Sequence, residues 1–249
     1  MDRFTFGKGS TVRVAWSWRR LFDHYFRRRY RILLLSLLVT LIAAPVASEY
    51  ELKTWPIELL LIVSLAAAAV SYHRPRARHR LLAVVTLTAL LRILGRWLHL
   101  QAAETGATLL AVGLAVFAVI AALRFALRGR KVDSERLSAA LSAYLLAGHC
   151  FGIAYLQVEQ LRTGSFAIGG TPTHLAQLDL QTAIYFSFVT LATLGYGDIS
   201  PLTPTARGLA VCEAILGQLY LAVLVARLVG ASGLREGPDE TVEQSHKKP

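Results

Sequence analysis

The sequence predicts an all-α membrane protein with six transmembrane helices. Apolar runs of about the ~20 residues that cross a bilayer core recur along the chain. The 249 residues are 54% hydrophobic, and mean hydropathy is +0.46, more than a water-soluble domain carries. Arginine and lysine gather at alternate ends of those runs, the asymmetry that orients helices in membranes. The net charge of +11 therefore does not indicate a nucleic-acid partner, because the basic residues flank apolar segments. The two cysteines, Cys150 and Cys212, lie inside apolar runs. They offer neither a disulfide framework nor metal-ligand spacing and read as small buried residues.

Residues 1–31 form a basic, aromatic cytoplasmic segment in which Trp18, Phe22 and Phe26 recur at i, i+4 and i+8. Two readings stand. One is an interfacial helix whose arginines meet anionic lipid; the other is an unstructured leader that only fixes topology. The first apolar run covers about Ile32–Ala47. Pro45 spoils a small-residue cleavage pattern there, and the preceding basic region is long for a signal peptide. It is read as a membrane helix. The second runs from about Trp55 to Tyr72, the third from Leu81 to Leu100, the fourth from Ala107 to Leu127, the fifth from Leu137 to Val158 and the sixth from Ala206 to Gly230. This divides the chain into a four-helix region over 32–130, a second unit over 131–230 and a short polar tail over 231–249. The tail leaves no room for a folded cytoplasmic ligand-binding domain.

Placing the N-terminus in the cytoplasm puts 22 of the 27 Lys and Arg on the inside. Only Lys53, Arg162 and Arg207 fall outside, and Arg92 and Arg96 fall within the third helix. Both termini are then cytoplasmic, and the loop between helices 5 and 6 lies outside. Arginine outnumbers lysine and Ala and Leu abound, which points to a GC-rich bacterial genome and an inner-membrane location.

That outer loop holds Thr193-Leu194-Gly195-Tyr196-Gly197-Asp198, preceded by an apolar run and followed by Pro201, Pro204 and a long apolar helix. Glycines at alternate positions let the backbone visit positive φ, and a strand of alternating hand can aim successive carbonyl oxygens to one side. The stretch resembles the potassium-channel signature, whose usual form is Thr-Val-Gly-Tyr-Gly-Asp, with Leu194 replacing valine. The resemblance spans roughly Leu180 to Gly230. It includes Gly217, twenty positions after Gly197, where that family's inner-helix hinge glycine tends to fall. Close helix packing is the equally weighted explanation of Gly217.

The resemblance implies a re-entrant pore helix over about Leu180–Ala192, N-capped by Asp179, and a filter between helices 5 and 6. It implies K+ coordination by Thr193, Leu194, Gly195 and Tyr196, with Gly197 completing the outer mouth and Asp198 supporting the filter from behind. It also implies that the Tyr196 ring braces the filter against the pore helix. One chain supplies one filter strand, so a homotetramer in the lipid bilayer is implied, with K+ as permeant ion and no cofactor. The region Glu159–Leu178, with Gly169-Gly170 and Pro172, is expected to be irregular.

Four ionisable residues at membrane depth need partners. Glu213, four positions before Gly217, is read chiefly as a structural contact to a pore helix, with pH sensing as the lesser reading. Glu58 is expected to pair with Arg96, and Arg92 is next in line. No helix repeats arginine every third position as a voltage sensor does. His149 reads as a hydrogen-bonded packing residue. The expected function is a K+-selective channel, with a weakly selective cation channel and a non-conducting membrane assembly subunit as alternatives. Convergent polar groups for an enzyme are missing.

Overall fold

The computed structural model of the chain describes residues 29–43, 45–46, 62–64, 66–68, 75–98, 100–128, 133–174 and 177–233. The basic segment before residue 29, Glu58 and the tail after residue 233 lie outside them, and so does the pairing expected between Glu58 and Arg96. Helix α1 covers 29–43, and α2 is described over 62–64 and 66–68. There follow α3 (Pro75–Leu98), α4 (Gln101–Leu127), α5 (Ser134–Leu161), β1 (Phe166–Ile168), β2 (Thr171–Pro172), α6 (Leu180–Leu191), β3 (Ile199–Pro201) and α7 (Pro204–Gly233). Among the described residues, three stretches are long and apolar enough to cross a membrane: Thr105–Leu127, Ser134–Leu161 and Pro204–Ala231. Arg92 lies half-buried on α3.

Local chemistry sets the helix ends. Asp133 and Asp179 each stand in extended backbone and accept a bond from the amide three residues on, Arg136 N at 2.8 Å and Thr182 N at 2.7 Å. Each satisfies an amide that the first helical turn leaves orphaned. Pro204 opens α7, where a missing N–H costs nothing. At 12 residues, α6 is about 18 Å long, too short for a hydrocarbon core of ~30 Å.

Two clusters hold the elements together. In the first, alanines at four-residue spacing on α4 (Ala118, Ala122, Ala126) meet Ala139, Ala140 and Ala143 of α5, with Tyr30, Leu33 and Leu37 of α1 alongside. Small side chains let the helices approach closely, which is how association proceeds where lipid tails remove the hydrophobic drive. In the second, Tyr155, Phe166 and Phe186 pack with centroids 4.9–5.6 Å apart, joining α5, β1 and α6. Tilted ring pairs at this range gain from edge-to-face attraction beyond buried area.

The α5–α6 contact rests on Gly148 and Gly152. A Cβ at Gly152 would stand 2.7 Å from the Ile184 Cα, and one at Gly148 2.6 Å from the Phe188 ring. Backbone at Ile184 cannot rotate away as a side chain can. Gly152→Ala should therefore cost about 1–3 kcal/mol by overpacking, read as a lowered unfolding midpoint in detergent. Gly113→Ala on α4, where a Cβ meets nothing within 4 Å, should leave that midpoint unchanged.

The segment after α5 departs from expectation. Instead of an irregular loop, β1 and β2 form a hairpin pairing Ile168 with Thr171. Its two-residue turn is Gly169-Gly170, at φ 55° and 82°. Two positive φ values make the turn whose twist suits a hairpin, and glycine adopts both without strain. The Thr173 hydroxyl donates to the Phe166 carbonyl at 2.9 Å and closes the base. β3 joins on the other side of β1, with Phe166 opposite Pro201 and Ile168 opposite Ile199, giving the order β2-β1-β3.

Candidate functional site

The segment linking α6 to β3 is where the backbone departs furthest from ordinary geometry. Thr193, Gly195 and Gly197 take φ of 56°, 56° and 79°, while Leu194 and Tyr196 between them keep negative φ. Glycine bears such angles freely, but a β-branched residue does not, so Thr193 is a strained position. Local bonds hold the strain. Thr193 N donates to the Thr190 carbonyl at 2.9 Å, and Leu194 N to the Val189 carbonyl at 2.9 Å. The loop is thus folded back onto the last turn of α6 before it runs outward.

Its far end is fixed twice through Asp198. The main-chain carbonyl accepts from Gly169 N at 2.7 Å, at the hairpin turn. The carboxylate accepts from the Tyr185 hydroxyl of α6 at 2.8 Å. Tyr196 stays 66% exposed and Leu194 56%, so within one chain the phenol bonded across the loop belongs to Tyr185. Residues 192–198 are all exposed, between buried Leu191 and Ile199.

Below the loop, α7 presses against the end of α6 at Gly217. A Cβ there would fall inside contact distance of the Leu191 carbonyl oxygen and 3.2 Å from its carbon. The same oxygen accepts from the Tyr144 hydroxyl of α5 at 3.3 Å. One residue on, Gln218 Nε2 donates to Thr193 Oγ1 at 3.0 Å. Helix α7 runs unbroken through Gly217.

One turn earlier Glu213 is fully buried. Its carboxyl accepts from the Tyr155 hydroxyl of α5 and bonds the Ser187 hydroxyl of α6, so one α7 side chain ties three helices behind the loop. Ser187 Oγ also lies 2.7 Å from the Gly148 carbonyl. His149 bonds the Leu145 carbonyl at 2.8 Å through Nδ1 and meets the Phe188 ring edge-on, a packing role. Among the described residues no group of three or more His, Cys, Asp or Glu could hold a metal ion.

Sequence reasoning missed Tyr185, Ser187, Tyr155 and the Gly148/Gly152 pair. Only the last had a readable signal, a G-x-x-x-G inside an apolar run. The others depend on which helices meet, which spacing along one chain does not reveal.

Residues 141–231 match the family described as "Ion channel". Over 89 residues the chain is 35% identical to two pore potassium channel c of Oryza sativa subsp. japonica, covering 36% of this chain and 17% of that one. Over 84 residues it is 37% identical to the inward rectifier potassium channel Kirbac3.1 of Paramagnetospirillum magnetotacticum, covering 32% and 24%. Over 56 residues it is 41% identical to protein LctB of Geobacillus stearothermophilus, covering 22% and 41%. The matches span less than half the length of each of these relatives. No solved structure matches significantly. Through this segment the chain is similar to ion channels, two of those relatives being potassium channels by name. The matched family and those two relatives are ion channels and not enzymes.

Proposed function

We propose that four copies of the chain form a K+-selective channel. The main-chain oxygens of Thr193 to Gly197 would replace the ion's water shell in stacked rings around a common axis. One observation carries this reading. Left-handed backbone at Thr193, Gly195 and Gly197 alternates with ordinary backbone at Leu194 and Tyr196, the pattern that turns successive carbonyls to one side. In the relatives' names, two pore and inward rectifier potassium channels, the same ion recurs.

In this reading α6 is a re-entrant pore helix, α5 the outer helix and α7 the inner helix of a six-helix subunit with cytoplasmic termini. The negative end of the α6 dipole favours a cation beneath the filter. Non-helical backbone at membrane depth is tolerated only when buried in protein or lining water, and neighbouring copies would supply that cover for the exposed residues 192–198.

The test is K+ flux into proteoliposomes carrying the full chain. Flux inhibited by Ba2+ is the expected result, with reversal potentials in mixed K+ and Na+ following K+. Reversal potentials midway between the two ions would make the protein a weakly selective cation channel. Absence of flux would mark it as a non-conducting assembly subunit.

A further inference from the structure

Gln218 is an exposed primary amide on a stretch of α7 where Ile215, Leu216 and Leu219 are exposed as well. An amide among apolar side chains is costly to leave unbonded. This one is bonded to the innermost residue of the loop, Thr193 Oγ1 at 3.0 Å. Thr193 is also the described residue other than glycine with positive φ, at 56°. The hydrogen bond and the strain thus meet at one residue, the bond on its side chain and the strain in its backbone. Directly before it, Gly217 brings α7 against the Leu191 carbonyl, so the amide starts from a helix position fixed relative to the loop.

A threonine hydroxyl has one proton and two lone pairs. The Gln218 N–H occupies one lone pair and leaves the other for a cation. We infer that Gln218 is a positioning residue for conduction: its amide orients the Thr193 hydroxyl toward the ion at the cavity end of the filter and so sets how tightly the innermost cation is held. This role rests on the conduction reading. It assigns to an inner-helix side chain a part in selecting the ion, through a hydroxyl that the amide itself holds in place.

The probe is Ba2+, close to K+ in size and doubly charged. Its affinity for the purified full-length protein is measured by calorimetric titration for wild type, Gln218→Leu, Thr193→Ala and the double variant. Gln218→Leu places an apolar side chain on an apolar helix, so folding is retained. It should weaken Ba2+ binding about tenfold, the scale of one hydrogen bond. The double variant should bind no more weakly than Thr193→Ala alone, because the amide acts only through the hydroxyl. K+ flux through wild type is measured in parallel. If wild type conducts and Gln218→Leu leaves Ba2+ affinity unchanged, or weakens it equally without the Thr193 hydroxyl, the positioning role falls and conduction stands. If wild type passes no K+, the conduction reading falls and takes this role with it.

Discussion

Gly217→Ala should reduce K+ flux through the reconstituted protein at least tenfold while leaving its helix content intact. The added methyl group has no room. It would fall on the Leu191 carbonyl oxygen, with the carbonyl carbon at 3.2 Å and Leu191 Cδ1 at 3.1 Å. Two of those three atoms are backbone. Relief requires α7 to move off the end of α6 or the end of α6 to move off α7. Either shift pulls on Thr193, two residues beyond Leu191, and breaks its bond to Gln218. Under the conduction reading proposed above, displacing Thr193 by even a fraction of an ångström is expensive, because function then depends on its placement. Gly208→Ala on the same helix meets nothing within 4 Å and should leave flux near wild type. Flux ratios of the two variants, normalised to protein incorporated, decide the matter. Equal fluxes would show that the close approach at Gly217 does not govern the loop.

The second large effect is expected at Glu213, and its sign depends on the replacement. Ser187 carries a single hydroxyl proton yet stands within bonding reach of two acceptors, Gly148 O and the Glu213 carboxyl. Tyr155 already donates to the other carboxyl oxygen. The set closes only if the side chain at 213 itself gives a hydrogen to Ser187, which then donates to Gly148. Glutamine does this with its amide while accepting from Tyr155 with its oxygen. Glu213→Gln should therefore keep both stability and flux. Glu213→Ala leaves the buried Tyr155 hydroxyl without its acceptor and opens a cavity among three helices, at a cost of about 3–5 kcal/mol. Unfolding midpoints in detergent for the two variants check this. A glutamine variant as damaged as the alanine one would mean that the site requires a negative charge.

These two positions also mark how far the sequence could be read. Gly217 and Glu213 are both recognisable in the sequence as points of interest, one from its spacing to the loop glycine Gly197 and the other as a carboxyl in an apolar helix. Their partners were not. Leu191, Ser187 and Tyr155 come from other helices, and one-dimensional periodicity says which face of a helix is apolar without saying what lies against it. Long elements were legible because length and hydropathy suffice for them: α4, α5 and α7 fall within a few residues of expectation at each apolar core. The N-cap at Asp179 was legible because capping is local chemistry. The hairpin was misread because Gly169-Gly170 and Pro172 look like loop punctuation. Their meaning changes only when a third strand, thirty residues on, supplies the other edge. The loop itself was legible to an unusual degree, since alternate glycines leave few other conformations open. Left-handed backbone at Thr193 was not, because nothing in threonine's own preferences asks for it.

The hairpin has a mechanical consequence. Its tip, Gly169 to Thr171, stands exposed, while its root is laced to the strand that leaves the loop and its turn amide grips the Asp198 carbonyl. The sheet therefore works as a short lever whose handle is the exposed turn at Gly170 and Thr171 and whose jaw is the adjoining Gly169 amide, closed on the last residue of the loop. Anything that grasps the handle, whether an antibody fragment or a crosslink, transmits its pull to the jaw without passing through a helix.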